Sequence, residues 1–373
     1  MSVRTGPTGQ QRDEAGWSVT VAEREIIIDC DPGIDDALAL VCAHGSPGLR
    51  LRGVTTVAGN VPLDMTTANA LRVADFAGIR GVPVVAGSAG PLLRPGRPAR
   101  HVHGSSGLGG ALLPAPSSRA APGHAVDFLI ETTGAAPGEI TLITIGPLTN
   151  IALAVRREPR LVGWVRDFVI MGGSAGRGNT TPAAEFNIAA DPEAAAIVFG
   201  AGWTVTMIGL DVTLRARATA AVLDRMRELG RLADDLLLPA LSGYRGVREE
   251  PSAAGGAGPA ANGGAAAGGA DAVAVGGSPA AGGAAGGAAD GGPAVHDVCA
   301  VAYVAWPGLI RCQPARVEVE THGRWTSGMT VTDFGAAPGV RNAMVATEID
   351  VTAFWDRVLS AYARAAAGMP EPA

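Results

Sequence analysis

The stretch IIIDCDPGIDDALAL, residues 26 to 40, sets Asp29, Asp31, Asp35 and Asp36 within eight residues, directly after a run of isoleucines. Carboxylates that close repel one another. They persist together only where something positive neutralises them or some stay protonated. Helix capping accounts for one or two, since an aspartate in a first turn suits the macrodipole. It does not account for Asp29 and Asp31 at the end of the preceding strand. Alternation puts those two on one side of the strand, and the Pro32–Gly33 turn folds Asp35 and Asp36 back toward them. Hard oxygen ligands converging at a strand-to-helix turn suit Ca²⁺ or Mg²⁺. A phosphatase-like site built on D-x-D is a competing reading of the same spacing.

The elements that must position these groups can be read on either side. REIIIDCD has the β-branched run of a buried strand, and DDALALVCAHG reads as the helix that Asp35 and Asp36 open. LRGVTTVAGN is a second strand, ending at Gly59–Asn60, followed by the helix TTANALRVADFAG and the strand VPVVAG. Beyond the glycine-rich HVHGSSGLGG come helix HAVDFLIETTG, strand ITLITIG, helix LTNIALAVRREP, strand VRDFVIMGG, helix DPEAAAIVFGAG and strand TVTMIGLDVT. The final helix is EIDVTAFWDRVLSAYARAAAG. Strands alternating with helices predict a mostly parallel sheet covered on both faces. Several strands end in Gly, Asn or Asp, where open α/β sheets bind ligands.

Bulk properties narrow the function. A chain of 373 residues with 47% hydrophobic content can bury a large core, and with 4% aromatics that core is Val, Leu, Ile and Ala. The net charge of -6 without a basic block argues against nucleic acid and anionic membrane as partners. Cys30, Cys42, Cys299 and Cys312 have neither CxxC nor zinc spacing and read as reduced cytosolic thiols. Residues 1–23 lack an apolar signal-peptide core and read as a flexible tail ahead of a domain over 24–373. VCAVAYVAW is too short to span a bilayer. Residues 251–293 are nearly all Gly and Ala. They have too little to bury to repay their ordering entropy, so they read as a flexible loop insertion.

DCDPGIDDALAL resembles the signature of the inosine-uridine preferring nucleoside hydrolases. TTVAGN (55–60), HVHGSSGLGG (101–110), IGPLTNIALAV (145–155), VIMGG (169–173), AEFNIAADPEAA (184–195) and VHDVCAVAY (295–303) follow in the family's order and near its spacing. The resemblance implies one Rossmann-like α/β domain with a mixed, mainly parallel sheet flanked by helices. It implies a homodimer or homotetramer in the cytoplasm, serving nucleoside salvage. It also implies Ca²⁺-dependent cleavage of the N-glycosidic bond of small-molecule ribonucleosides. Carried over residue by residue, Asp31, Asp36 and Asp297 supply metal carboxylates and Ile145 a backbone carbonyl. Asp31 also activates water, and His296 protonates the leaving base. Asp35 grips ribose hydroxyls, Asn60, Asn179, Glu185 and Asn187 are sugar-binding groups, Met171 lies near the sugar, and His103 lies near the base. The residue types suit the chemistry, because an oxocarbenium-like transition state wants nearby anions.

Plainer readings stand beside these. His103 is an exposed loop histidine, Asn179 a turn residue after GRG, Met171 a core residue. Asn187 and Glu185 cap the helix at DPEAAA, a task Asp191 already suits. Asp29 orients other ligands, and alternation turns Cys30 away. Two features depart from the family: Val298 stands where Pro is usual, and the Gly/Ala tract replaces a mobile helix and loop over the base. Tyr244 and Arg245, just before the tract, are the candidates for base contact. A metal-dependent phosphatase-like hydrolase and a catalytically silent ribonucleoside-binding protein are the alternatives. The first wants Lys or Arg at the phosphate.

Loop closure costs grow slowly with length. Replacing the tract with a short Gly/Ser linker is therefore expected to leave the melting temperature nearly unchanged and to act on KM and base preference. Loss of the cooperative melting transition would show the tract to be a structural element.

Overall fold

Residues 24–30 alternate between two cores, and that alternation decides where the chemistry sits. Ile26, Ile28 and Cys30 pack into one hydrophobic core and Ile27 into the other. A strand covered on both faces tolerates a continuous apolar run, and each buried isoleucine contributes roughly 1.5–3 kcal/mol. Asp29 shares the face of Ile27, as period two requires.

The computed structural model describes residues 10–12, 18–20, 23–96, 99–104, 106–245 and 291–371. Its strands are β1 (Gln10–Arg12), β2 (Ser18–Thr20), β3 (Arg24–Cys30), β4 (Leu49–Thr56), β5 (Val84–Ala86), β6 (Ile140–Thr144), β7 (Asp167–Met171), β8 (Val205–Ile208), β9 (Ile310–Val319), β10 (Thr330–Asp333) and β11 (Ala343–Ile349). β3 to β11 form one sheet in the order β10-β9-β11-β8-β7-β6-β3-β4-β5. From β11 to β5 every pairing is parallel. β9 and β10 finish one edge antiparallel. The sheet is mixed and mainly parallel, as expected. Helices Ile34–Gly45, Leu63–Ala77, Asp297–Ala305 and Val351–Ala367 cover one face. Helices Ala125–Ala135, Thr149–Arg157 and Pro192–Phe199 cover the other. Parallel strands deliver all their C-terminal ends to one edge, so the loops after β3, β4, β6, β7 and β8 gather there.

The structure adds to the sequence reading in three places. First, β9, β10 and β11 lie in a stretch to which the sequence assigned no strands. They are edge or near-edge strands, and β9 carries Arg311 and Glu318 on exposed positions and Arg316 on a half-buried one, so their apolar signal is diluted. Secondly, TVTMIGLDVT is not all strand: β8 stops before Gly209, and Leu210–Thr213 is a helical turn. Thirdly, the chain is in place again from Gly291, inside the stretch read as insertion. Ala218 N donates to Pro293 O at 2.8 Å, Val295 N to Ala216 O at 3.0 Å, and Arg217 bridges to Ala294. A Cβ on Gly292 would fall 1.7 Å from the Ala218 carbonyl, so glycine is required for this clamp. Any linker replacement must stop before Gly291; the rest of the Gly/Ala reading, up to residue 290, lies outside the described residues. β1 and β2 pair antiparallel with each other within the stretch read as a tail, whose other residues up to 22 also lie outside the described ones. Among the described residues no helix is long and apolar enough to cross a membrane.

The last helix shows how tightly the layers close. Asp350 caps it by accepting from Ala353 N at 3.0 Å, and Phe354, Trp355, Val358, Leu359, Tyr362 and Ala365 bury one face. That face meets helix Ile34–Gly45 so closely that a Cβ on Gly45 would lie 2.0 Å from the Ala361 carbonyl. Gly45→Ala is therefore expected to destabilise the protein by about 1–3 kcal/mol, the usual range for overpacking, read as a lowered denaturation midpoint. An unchanged midpoint would contradict this packing.

Candidate active site

The site begins with a nest of buried carboxylates at the end of β3. Asp29, Asp31, Asp35, Asp36 and Asp297 are all buried. The chain's own amides hold them. Asp31 N donates to Asp36 Oδ1 and Gly33 N to Asp36 Oδ2, each at 3.0 Å, which forms the Pro32–Gly33 turn. Asn60 N donates to Asp31 Oδ2 at 2.6 Å, and its side chain Nδ2 donates to Asp31 O and Asp36 Oδ2. Asp29 is tied down by Thr55 Oγ1 and by Asn150 Nδ2, and Cys30 points the other way to donate to Thr55 O. Two glycines make the room: a Cβ on Gly59 would lie 2.0 Å from Asp31 Oδ2, and one on Gly146 2.6 Å from Oδ1. These are the glycines of TTVAGN and IGPLTN.

Burial dominates the electrostatics. It raises Asp31 and Asp297 well above the usual carboxylate range, with the charge of Asp36 the next cause in each. Burial likewise lifts Asp35 to about 7, against a lowering hydrogen bond from His296 N, and Asp29 to about 7. Asp36 is also raised. No Arg or Lys is among the described residues lining the adjoining cavity.

Such a nest is chemically fitted to a hard cation. Asp31 Oδ1 is buried with no hydrogen-bond partner, and every nearby donor atom proposed for a metal is an oxygen, the preference of Ca²⁺. No three His, Cys, Asp or Glu side chains among the described residues stand together as a ready-made metal cage. Ile145 lies on the cavity wall, its backbone O accepting from Asn187 Nδ2 at 3.0 Å.

Above the nest opens a cavity of about 400 Å³, the size of a small-molecule site. Asp35, Asn60, His103, Ile145, Met171, Asn179, Glu185, Asn187, His296 and Asp297 all line it, with Asp31 and Asp36 beneath. Positions spread over most of the chain thus meet at one sheet edge. Asp35 Oδ2 accepts from His296 N at 3.0 Å, and its Oδ1 is buried without a hydrogen-bond partner. Asn187 Nδ2 also donates to Met171 O at 3.0 Å, so its Oδ1 is the atom left for a ligand. Met171 is both core and lining.

The plainer readings fare unevenly. Glu185 does cap a helix, but the short one at Phe186–Ala190: its carboxylate accepts from Gly173 N, Asn187 N and Ile188 N. Asp191 caps the helix at Pro192–Phe199. Asn179 is a turn residue, accepting from Phe186 N at 3.0 Å, and a lining residue at once. His103 is not exposed. Its Nδ1 accepts from Ile34 N at 3.2 Å, and Tyr244 meets its ring edge-on at 6.0 Å. Val298 sits in the first turn of helix Asp297–Ala305, where Pro is also tolerated, so the departure leaves the backbone intact. His296 is pulled down to about 4 by burial, then by the charge of Arg217. Tyr244, Thr180, Phe186, Ala99 and Val102 complete the wall. Phe186 was visible inside AEFN, but nothing in its type marked it as lining.

The comparisons with known proteins agree with this geometry. A family model described as inosine-uridine preferring nucleoside hydrolase matches residues 26–356. An inosine-uridine preferring nucleoside hydrolase of Leishmania major is 42% identical over 345 residues, covering 91% of this chain and 98% of that protein. A non-specific ribonucleoside hydrolase of Klebsiella pneumoniae is 41% identical over 333 residues, covering 88% and 95%. The solved structure of a purine-preferring ribonucleoside hydrolase from Gardnerella vaginalis superposes with a TM-score of 0.76 at 29% identity, covering 92% of this chain and 99% of that one. With its fold, its carboxylate nest and these relatives, the chain belongs to the inosine-uridine preferring nucleoside hydrolase family, the ribonucleoside N-glycosidases.

Proposed function

We propose that this enzyme hydrolyses ribonucleosides to ribose and free base with Ca²⁺ as cofactor, Asp31 as the base and His296 as the acid. The observation that carries the reading is the juxtaposition of the buried nest with a cavity whose wall bears His296. Asp31, Asp36, Asp297 and the Ile145 carbonyl would hold the cation. When bound, Ca²⁺ neutralises the nest and supplies Lewis acidity toward water and ribose hydroxyls.

The residues then divide the work. Asp35, through its uncommitted oxygen, accepts from ribose hydroxyls, and Asn60, Asn179, Glu185 and Asn187 complete a polar shell that a sugar can satisfy. Water attacks C1′ and passes a proton to Asp31. The C1′–N bond breaks with its electron pair going to the base. The surrounding carboxylates favour the positive charge that develops on the sugar. His296 delivers a proton to the departing base from the ring nitrogen facing the cavity. Its lowered pKa keeps the ring neutral in the free protein; a proton from solvent, taken up as negative charge builds on the base beside it, makes the ring imidazolium, and passing one proton to the base returns it to neutral. His103 and Tyr244 stand where the base would lie. A phosphatase-like site would want a cationic side chain at the phosphate, and none of the described lining residues is one. Homodimeric or homotetrameric assembly, cytoplasmic location and a role in salvage belong to the same reading.

A reducing-sugar assay on uridine, cytidine, inosine and adenosine, with and without calcium, tests the activity. Ribose release that needs calcium is expected. Release that ignores exhaustive chelation would remove the cofactor from the account.

Asp31→Asn keeps the shape but not the basicity. It is expected to lower kcat by roughly 10²–10⁴-fold, the usual worth of general base catalysis, with an unchanged circular dichroism spectrum. A kcat near that of the parent enzyme would remove Asp31 from the mechanism.

A further inference from the structure

One buried polar contact at the cavity serves neither the sugar shell nor the carboxylate nest. Thr213 is fully buried, and its Oγ1 lies 2.8 Å from His296 Nδ1. The Thr213 backbone N–H is already committed to Gly209 O at 3.2 Å. We propose that Thr213 is a positioning residue for the reaction: its hydroxyl holds the Nδ1 edge of His296, so that Nε2 is the nitrogen presented to the leaving base. The inference rests on the reading of His296 as the acid.

Several independent supports converge on this pair. Thr213 ends the helical turn Leu210–Thr213, which the chain enters at Gly209 directly after β8. Asp211 pins that turn by accepting from Ala175 N at 2.8 Å. On the other side, Val295 N donates to Ala216 O at 3.0 Å, so the residues before His296 are clamped to those after Thr213. His296 N is held by Asp35 Oδ2 at 3.0 Å. Backbone and ring are therefore anchored separately, the ring by Thr213. Since the Nδ1 edge faces a fully buried hydroxyl while the residue lines the cavity, the opposite edge is the one a base can meet.

A hydroxyl suits this task because it donates or accepts as required. It donates to the bare Nδ1 of the neutral ring in the free enzyme, and it accepts from Nδ1–H once the ring has taken a proton from solvent there, so that transfer of the Nε2 proton to the base leaves a neutral imidazole. Valine, of the same shape, can do neither, and would leave a buried ring nitrogen unpaired. Such orphaning costs about 1–3 kcal/mol, equivalent to about 5- to 150-fold in rate.

The test compares leaving groups. The nitrophenolate of p-nitrophenyl riboside departs without a proton; uracil and hypoxanthine need one. Thr213→Val is expected to lower kcat on uridine or inosine by about 10- to 100-fold and to affect p-nitrophenyl riboside far less. Thr213→Ser should recover most of the loss. Equal losses on both substrates, or no loss on either, would overturn the role of Thr213. His296→Ala is run alongside. If it splits the substrates and Thr213→Val does not, only the Thr213 inference falls; if His296→Ala itself affects both equally, the acid assignment falls and takes the inference with it. Should Thr213→Val fail to fold, ¹⁵N NMR of the unaltered enzyme, with His296→Ala to assign the signal, decides the matter. A ring proton on Nε2 is expected, and one on Nδ1 in the free enzyme would overturn the proposal.

Discussion

The structure turns on like charges held together out of water. Asp29, Asp31, Asp35, Asp36 and Asp297 are buried side by side, and removing a carboxylate from water is costly unless it is paired or neutralised. Local amides relieve part of this. Asp36 takes two backbone N–H groups, Asp31 one, and Asp29 two side-chain donors. What they leave over, above all Asp31 Oδ1, is the demand that a hard cation would meet.

Most other features around the nest follow from keeping it intact. Isoleucines on β3 anchor the strand in two cores, and Asp31 follows its last residue, held by its own turn and by Asn60. Gly59 and Gly146, in the loops after β4 and β6, let the backbone pass close to the Asp31 carboxylate, because a Cβ at either would collide with it. Gly33 is similarly hemmed in by His103 and Asn60, at 2.6 and 2.7 Å from a built Cβ. The clamp between residues 216–218 and 293–295 brings the chain to the nest and delivers His296 and Asp297 together. Stability and function are thus coupled through backbone placement, with little contribution needed from surface ion pairs.

Much of this was legible in the sequence, for physical reasons. The buried parallel strands read clearly because both their faces are apolar, and the turn glycines read clearly because they interrupt those runs. The acidic motif foretold a cluster of carboxylates at the end of β3, and the structure buries them there together. β9, β10 and β11 were not legible: β10 is an edge strand, and Arg311, Glu318 and Glu348 on exposed positions of β9 and β11 weaken the periodic apolar signal. Thr213 was not legible either, since a threonine after a strand is ordinary until His296 is seen against it across 83 residues of sequence. Glu185 was read as a rival cap for the wrong helix, because two short helices meet at Asp191 and the sequence suggested only the second.

The central claim is that the nest exists to hold a divalent cation, and calcium binding tests it most directly. Titration calorimetry of Ca²⁺ into the chelator-treated enzyme should find a single ion per chain. Asp297→Asn and Asp36→Asn should each weaken binding by about tenfold or more, or 1.4 kcal/mol, whereas Asp224→Asn on the exposed surface should not. Binding that is absent, or equally strong in all three variants, would contradict the account.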